Sequence, residues 1–115
     1  MSDRYAPLPE PPYYAVIFTA HRRDARPDDG YDKTAERMGE LVAAQLGFLG
    51  VEYSTDPEGV EITVSYWRDE ASIAAWKANI EHALAQDAGR ARWYAGYVIR
   101  VARIERAYAF GEGKG

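Results

Sequence analysis

The chain has 115 residues, of which 47% are apolar and 28% charged, enough to bury one core and too few for two domains. It carries no cysteine, which excludes disulfide scaffolds, thiolate zinc sites, iron–sulfur ligation and a Cys nucleophile. The formal net charge of −4 is the wrong sign for a surface that grips a phosphate backbone.

Aromatic residues, at 13% with nine Tyr, three Trp and three Phe, are the unusual part of the composition. So many rings in a small domain point to a core, a ligand cavity, a large subunit interface or a mixture of these. No apolar run approaches the ~18 residues needed to cross a bilayer. The opening MSDRYAPLPEPP lacks the apolar segment of a secretory signal. The expectation is therefore a cytoplasmic protein without a membrane or nucleic-acid partner.

Residues 1–12 hold Pro7, Pro9, Pro11 and Pro12 and read as an extended arm, and residues 111–115, GEGKG, as a flexible tail. The domain is expected over 13–110. Tyr13 to Arg22 is apolar on both faces, as in a central strand. One face carries Tyr13, Ala15, Ile17, Thr19 and His21; the other carries Tyr14, Val16, Phe18, Ala20 and Arg22.

A helix follows, capped by Asp28 or Asp29, with Tyr31, Ala35, Met38, Leu41, Val42 and Leu46 in helical register. Gly39 inside it suggests close packing on a sheet, and Gly47 ends it. Phe48–Thr55 and Val60–Trp67 form a hairpin around the turn Asp56-Pro57-Glu58-Gly59. Asp69 caps a second helix, expected to reach about Ala88 with a break near Asn79 and a stop at Gly89. Ile73, Trp76 and Ile80 share one side of it. A final strand is expected over Tyr97–Tyr108.

The order β-α-β-β-α-β defines an α+β, ferredoxin-like fold with both helices on one face of an antiparallel sheet. The other face would expose much apolar surface, and a second copy is the simplest cover. An RNA-recognition module shares this topology, but GVEITVSYW lacks its aromatic pattern. No Gly-rich phosphate loop is present, and the two histidines show no metal-ligand spacing.

Within this topology, VSYWRDEASIAAWKANIEHALAQ and GRARWYAGYVIRVARIER carry a strand ending in Trp67, an acid-capped helix, Trp76 nine positions on, and the pair Glu81-His82. Together with GFLG at Gly47–Gly50, these segments resemble the antibiotic biosynthesis monooxygenase superfamily over about residues 13–108. The resemblance implies a dimeric α+β barrel, hence a homodimer. It also implies one of two chemistries. Some members oxidise phenolic, polycyclic compounds with dioxygen and no metal or flavin. Others degrade haem with a first-strand Asn, a helix Trp and a His ten residues after that Trp.

Here Trp76 matches the helix Trp, Gln86 stands at the ligand position with His82 one turn before it, and Ala20 or His21 stands at the Asn position. The expectation is thus a monooxygenase that oxidises a small aromatic or polyketide-like substrate with dioxygen and no cofactor or metal. Haem binding and a non-catalytic small-molecule-binding or stress-related protein are the alternatives. In this reading His82 is the base, and Trp76 and Trp93 wall the pocket. His21, Tyr66, Gln86 and Tyr94 supply polar contacts, Trp67 is core, and the pocket lies between the sheet and the second helix.

Overall fold

The computed structural model describes residues 5–22, 30–86 and 94–111, with backbone alone at 31, 32 and 81–86. Six elements follow one another: β1 (Tyr13–Arg22), α1 (Tyr31–Ala43), β2 (Phe48–Thr55), β3 (Val60–Trp67), α2 (Glu70–Gln86) and β4 (Tyr94–Ile104). The strands form one antiparallel sheet in the order β2-β3-β1-β4. This is the ferredoxin-like α+β arrangement expected from the element order.

The hairpin closes as its turn chemistry requires. Asp56 Oδ1 accepts from the backbone N–H groups of Glu58 (2.9 Å) and Val60 (3.0 Å), and Gly59 takes a left-handed φ of 90°. The start of α2 is fixed by Asp69, whose Oδ1 accepts from the Ser72 N–H at 2.8 Å. That bond holds the Asp69 carboxyl below its ordinary range.

Several boundaries depart from expectation. Gly30 is the N-cap of α1, with no side-chain cap bond; Asp28 and Asp29 lie outside the described residues. The helix stops at Ala43, because the Ala44 and Gln45 amides donate back three residues to Leu41 and Val42 and tighten the last turn. Leu46 is left exposed. A Cβ at Gly39 would meet nothing within 4 Å, so close packing is not its reason. Helix α2 runs unbroken through Asn79, whose amide Nδ2 donates to the Ala75 carbonyl; the expected stop at Gly89 lies outside the described residues.

Strand β4 begins at Tyr94 and ends at Ile104 rather than spanning Tyr97–Tyr108. Its end has a simple cause: Ile104 pairs with Tyr13, the first residue of β1, and beyond it the chain has no partner strand. Its start is set by a bulge at His21/Arg22 that brings Tyr94 opposite Arg22.

The main core lies on the helix-covered face. Val16, Trp67, Ile73 and Trp76 form its buried centre, with Tyr14, Met38, Leu41, Val42, Phe48 and Ile80 packed around them. The Trp67 indole N–H donates to Ser65 Oγ at 2.8 Å, which satisfies the two buried polar groups of β3 together. Pairing register places Tyr14, Val16, Phe18 and Ala20 on this helix-covered face with Glu61, Thr63, Ser65 and Trp67. Val60, Ile62, Val64 and Tyr66, the apolar half of β3, face away from the helices.

Candidate active site

The helix-covered face has two parts. Around Trp67 it is closed core. Toward the C-terminal end of β1 it becomes an aromatic corner in which Phe18, Tyr94 and Tyr97 meet edge to face. The ring centroids are 5.3–6.0 Å apart, within the range in which such pairs attract. Tyr94 and Ala20 are buried, whereas Phe18 and Tyr97 are partly accessible.

A carboxylate enters this corner. The Tyr94 hydroxyl donates to Glu61 Oε1 at 3.1 Å. The bulge at His21/Arg22 makes this contact available, because it resets the parity of β4 and turns Tyr94 to the helix side. Beside planar, electron-rich surfaces, a carboxylate–phenol pair can accept a proton from an acidic C–H or O–H and return it through the hydroxyl.

The residues singled out from sequence do not all gather here. Tyr94 does. Trp76 belongs to the core around Trp67, buried with its ring centroid 6.2 Å from that of Trp67. His82 and Gln86 lie on the last turns of α2, and their side chains fall outside the described structure, as does all of Trp93.

His21 and Tyr66 are placed elsewhere. Both occupy the opposite face of the sheet: the register that puts Ala20 on the helix side puts His21 on the other. A pocket between the sheet and α2 therefore cannot take contacts from them within one protomer. Glu61 and Phe18 were missed in the sequence. Strand parity was the available signal, since Glu61 shares its side of β3 with the core residue Trp67.

Tyr66 belongs to a polar cluster of its own on the open face. Its hydroxyl donates to Glu52 Oε1 at 3.0 Å, and the Ala6 N–H donates to Glu52 Oε2 at 2.8 Å. The Tyr13 ring meets that of Tyr66 edge to face. Desolvation first, then the hydrogen bond and charge of Glu52 and a smaller effect of Tyr13, push the Tyr66 hydroxyl up to about 12. Burial and the same carboxylate also raise Tyr13.

As for a prosthetic group, no three His, Cys, Asp or Glu side chains converge among the described residues. A haem on the helix side of one protomer could not take His21 as its ligand while lying against Trp76, because the sheet stands between them. Among the described residues no helix is long and apolar enough to cross a membrane.

A four-stranded antiparallel sheet in the order β2-β3-β1-β4, with its two helices on one face, defines the class of ferredoxin-like α+β proteins. Residues 12–88 match the family model for antibiotic biosynthesis monooxygenases, and the chain belongs to that family. Bacillus subtilis YqjZ, an uncharacterized protein, is 46% identical over 97% of this chain and 96% of its own length. The jasmonate monooxygenase ABM of Pyricularia oryzae is 30% identical over 79% of this chain, which spans only 43% of that larger protein.

Among solved structures, the cofactor-independent oxygenase SnoaB of Streptomyces nogalater superposes with a TM-score of 0.60 at 12% identity, covering 89% of this chain and all of its own. A dimeric ferredoxin-like protein from Thermobifida fusca gives 0.62 at 15% identity, covering 87% of this chain and 99% of its own.

Proposed function

We propose that the chain is a cytoplasmic, homodimeric monooxygenase that oxidises a small aromatic or polyketide-like compound with dioxygen and no resident cofactor. The observation that carries this reading is the Tyr94–Glu61 pair set among the rings of Phe18 and Tyr97 on the helix side of the sheet. Membership of the monooxygenase family supports the reaction class, and the SnoaB fold supports the absence of a cofactor.

Electron balance narrows the substrate. Without a reductant, the substrate itself must supply all four electrons that reduce dioxygen. An activated methylene between an aryl ring and a conjugated ketone does so. Its carbon loses both hydrogens and becomes a carbonyl; one atom of dioxygen enters that carbonyl, and the other leaves with the two hydrogens as water. The protein's share is to remove the first proton, hold the resulting anion flat against the rings, and keep bulk water away. His82 is assigned as the base, and Glu61 holds and recycles the proton through the Tyr94 hydroxyl. Gln86 and Trp93 are assigned to substrate contact.

The test is oxygen uptake with a tricyclic anthrone, run in labelled dioxygen. One label per product molecule and a rate above spontaneous autoxidation are expected, with the rate falling at least about 100-fold in H82A, as for loss of a general base. No turnover of any activated methylene would remove the oxygenase reading. Full turnover by H82A together with loss in E61Q would move the base to Glu61.

A further inference from the structure

Among the described residues, the core around Trp67 draws on β1, β2, β3 and both helices and takes none from edge strand β4. Yet β4 turns a regular row of side chains to the helix side. Tyr97 pairs with Ala20, Ile99 with Phe18, Val101 with Val16 and Arg103 with Tyr14, and paired residues share a face. Ile99 and Val101 are 42% and 51% exposed, although Val16 beside them is buried.

The two ends of this row differ in chemistry. Tyr97 belongs to the aromatic corner, in contact with Phe18 and with Tyr94, whose hydroxyl is bonded to Glu61. Arg103 stands at the other end, about 20 Å away at roughly 3.4 Å per residue. The strand stops at Ile104, and there Arg103, Ile104, Glu105 and Arg106 line an open depression of about 640 Å³. Two guanidinium groups against one carboxylate leave it net positive. Among the described residues neither arginine has an ion-pair partner. Arg100 lies elsewhere: it pairs with Ile17 and belongs to the open face.

We infer that this strip holds the tail of the substrate, an apolar chain lying along Ile99 and Val101 and ending in a carboxylate bound by Arg103 and Arg106. The inference rests on the reading above and narrows its substrate to a ring system that carries a long chain with a terminal acid. The ring lies against Phe18 and Tyr97, within reach of the Tyr94–Glu61 pair. Covering Ile99 and Val101 removes apolar surface from water. At the far end a planar guanidinium matches a carboxylate with two parallel N–H bonds, a fit that a neutral or cationic end group lacks. Anchorage so far from the reacting carbon orients the ring without touching it, which is how remote binding energy serves a reaction.

Fluorescence titration of the full chain with 1-pyrenedodecanoate tests this, because the probe joins a flat ring system, a long chain and a free acid. Saturable binding is expected. The methyl ester lacks the charge and 1-pyrenebutyrate is too short, so each should bind at least about tenfold more weakly. R103Q should lose as much for the acid and nothing for the ester. R100Q removes the same charge from the open face and should leave the acid's affinity unchanged. Equal affinities for acid and ester, or equal losses in R103Q and R100Q, overturn the inference. The ester comparison uses the unaltered chain, so a variant that fails to fold does not decide the matter. Anthrone turnover is read separately. Turnover without any binding of pyrenedodecanoate overturns the tail site and spares the oxygenase. Binding that depends on Arg103, without turnover of any activated methylene, supports the tail site and overturns the oxygenase.

Discussion

The two faces of the sheet are built from alternate residues of the same four strands, yet they differ in what closes them. On the helix side, β3 contributes Glu61, Thr63, Ser65 and Trp67, a mostly polar set, and α1 and α2 supply the apolar cover. On the open side it contributes Val60, Ile62, Val64 and Tyr66, which face away from the helices. Composition alone would put the second set inside. Its place outside teaches that the domain folds around one large tryptophan and leaves an apolar strand surface that the helices do not cover. The arm takes one end of that surface, where Tyr13 and Ala15 are buried, and leaves the other end exposed.

The contrast is broken most severely at Trp67, which among the described residues is the one large side chain with no exposure. W67A should cost about 3–5 kcal/mol in urea unfolding, the range for deleting a buried aromatic, and it leaves Ser65 Oγ without its donor. I62A, on the other face of the same strand, should cost under about 1 kcal/mol when unfolding is followed at concentrations below dimer formation. It should act instead on the dimer dissociation constant. Equal losses at both sites would mean that the open face is core in the isolated chain.

A smaller effect is expected at the aromatic corner. Y94F removes the donor to Glu61 and should lower stability by about 1 kcal/mol, while lowering turnover by more than that energy implies. Turnover and stability falling in proportion would make the pair structural only.

Element order, the Asp56 turn and the Asp69 cap were legible in the sequence because each is a local signal with a local cause. Face assignment was not. Period-two alternation separates Val16 from Ile17 and Glu61 from Ile62, and on β3 only the core role of Trp67 marks which set the helices cover. Glu61 and Tyr66 stand on opposite faces of β3, and His21 shares the open face with Tyr66. The extent of β4 was misjudged for a related reason. Its apolar pattern runs on to Tyr108, but a strand lasts only as long as its neighbour, and β1 begins at Tyr13. The bulge opposite Tyr94 is likewise a property of the pair of strands.

The finest test concerns the arm's anchor on the open face. Tyr66 is raised from its ordinary value to about 12 by burial and by Glu52, so the folded state holds its proton more tightly than the unfolded chain does. The sign follows from linkage. Below about pH 10 both states are protonated and the stabilisation is fully present. Between about pH 10 and about pH 12 the unfolded chain loses the proton first, and stability falls as pH rises. Y66F should flatten this slope in urea titrations over that interval, with Tyr13 supplying what remains. E52Q should lower the phenolate titration of Tyr66 and narrow the window while keeping an acceptor for the Ala6 amide. W67A should leave that titration in place wherever the chain stays folded, because Trp67 lies on the other face. If E52Q left the phenolate titration where it was, burial alone would hold Tyr66 neutral, and the part of Glu52 would be to anchor the arm through the Ala6 amide.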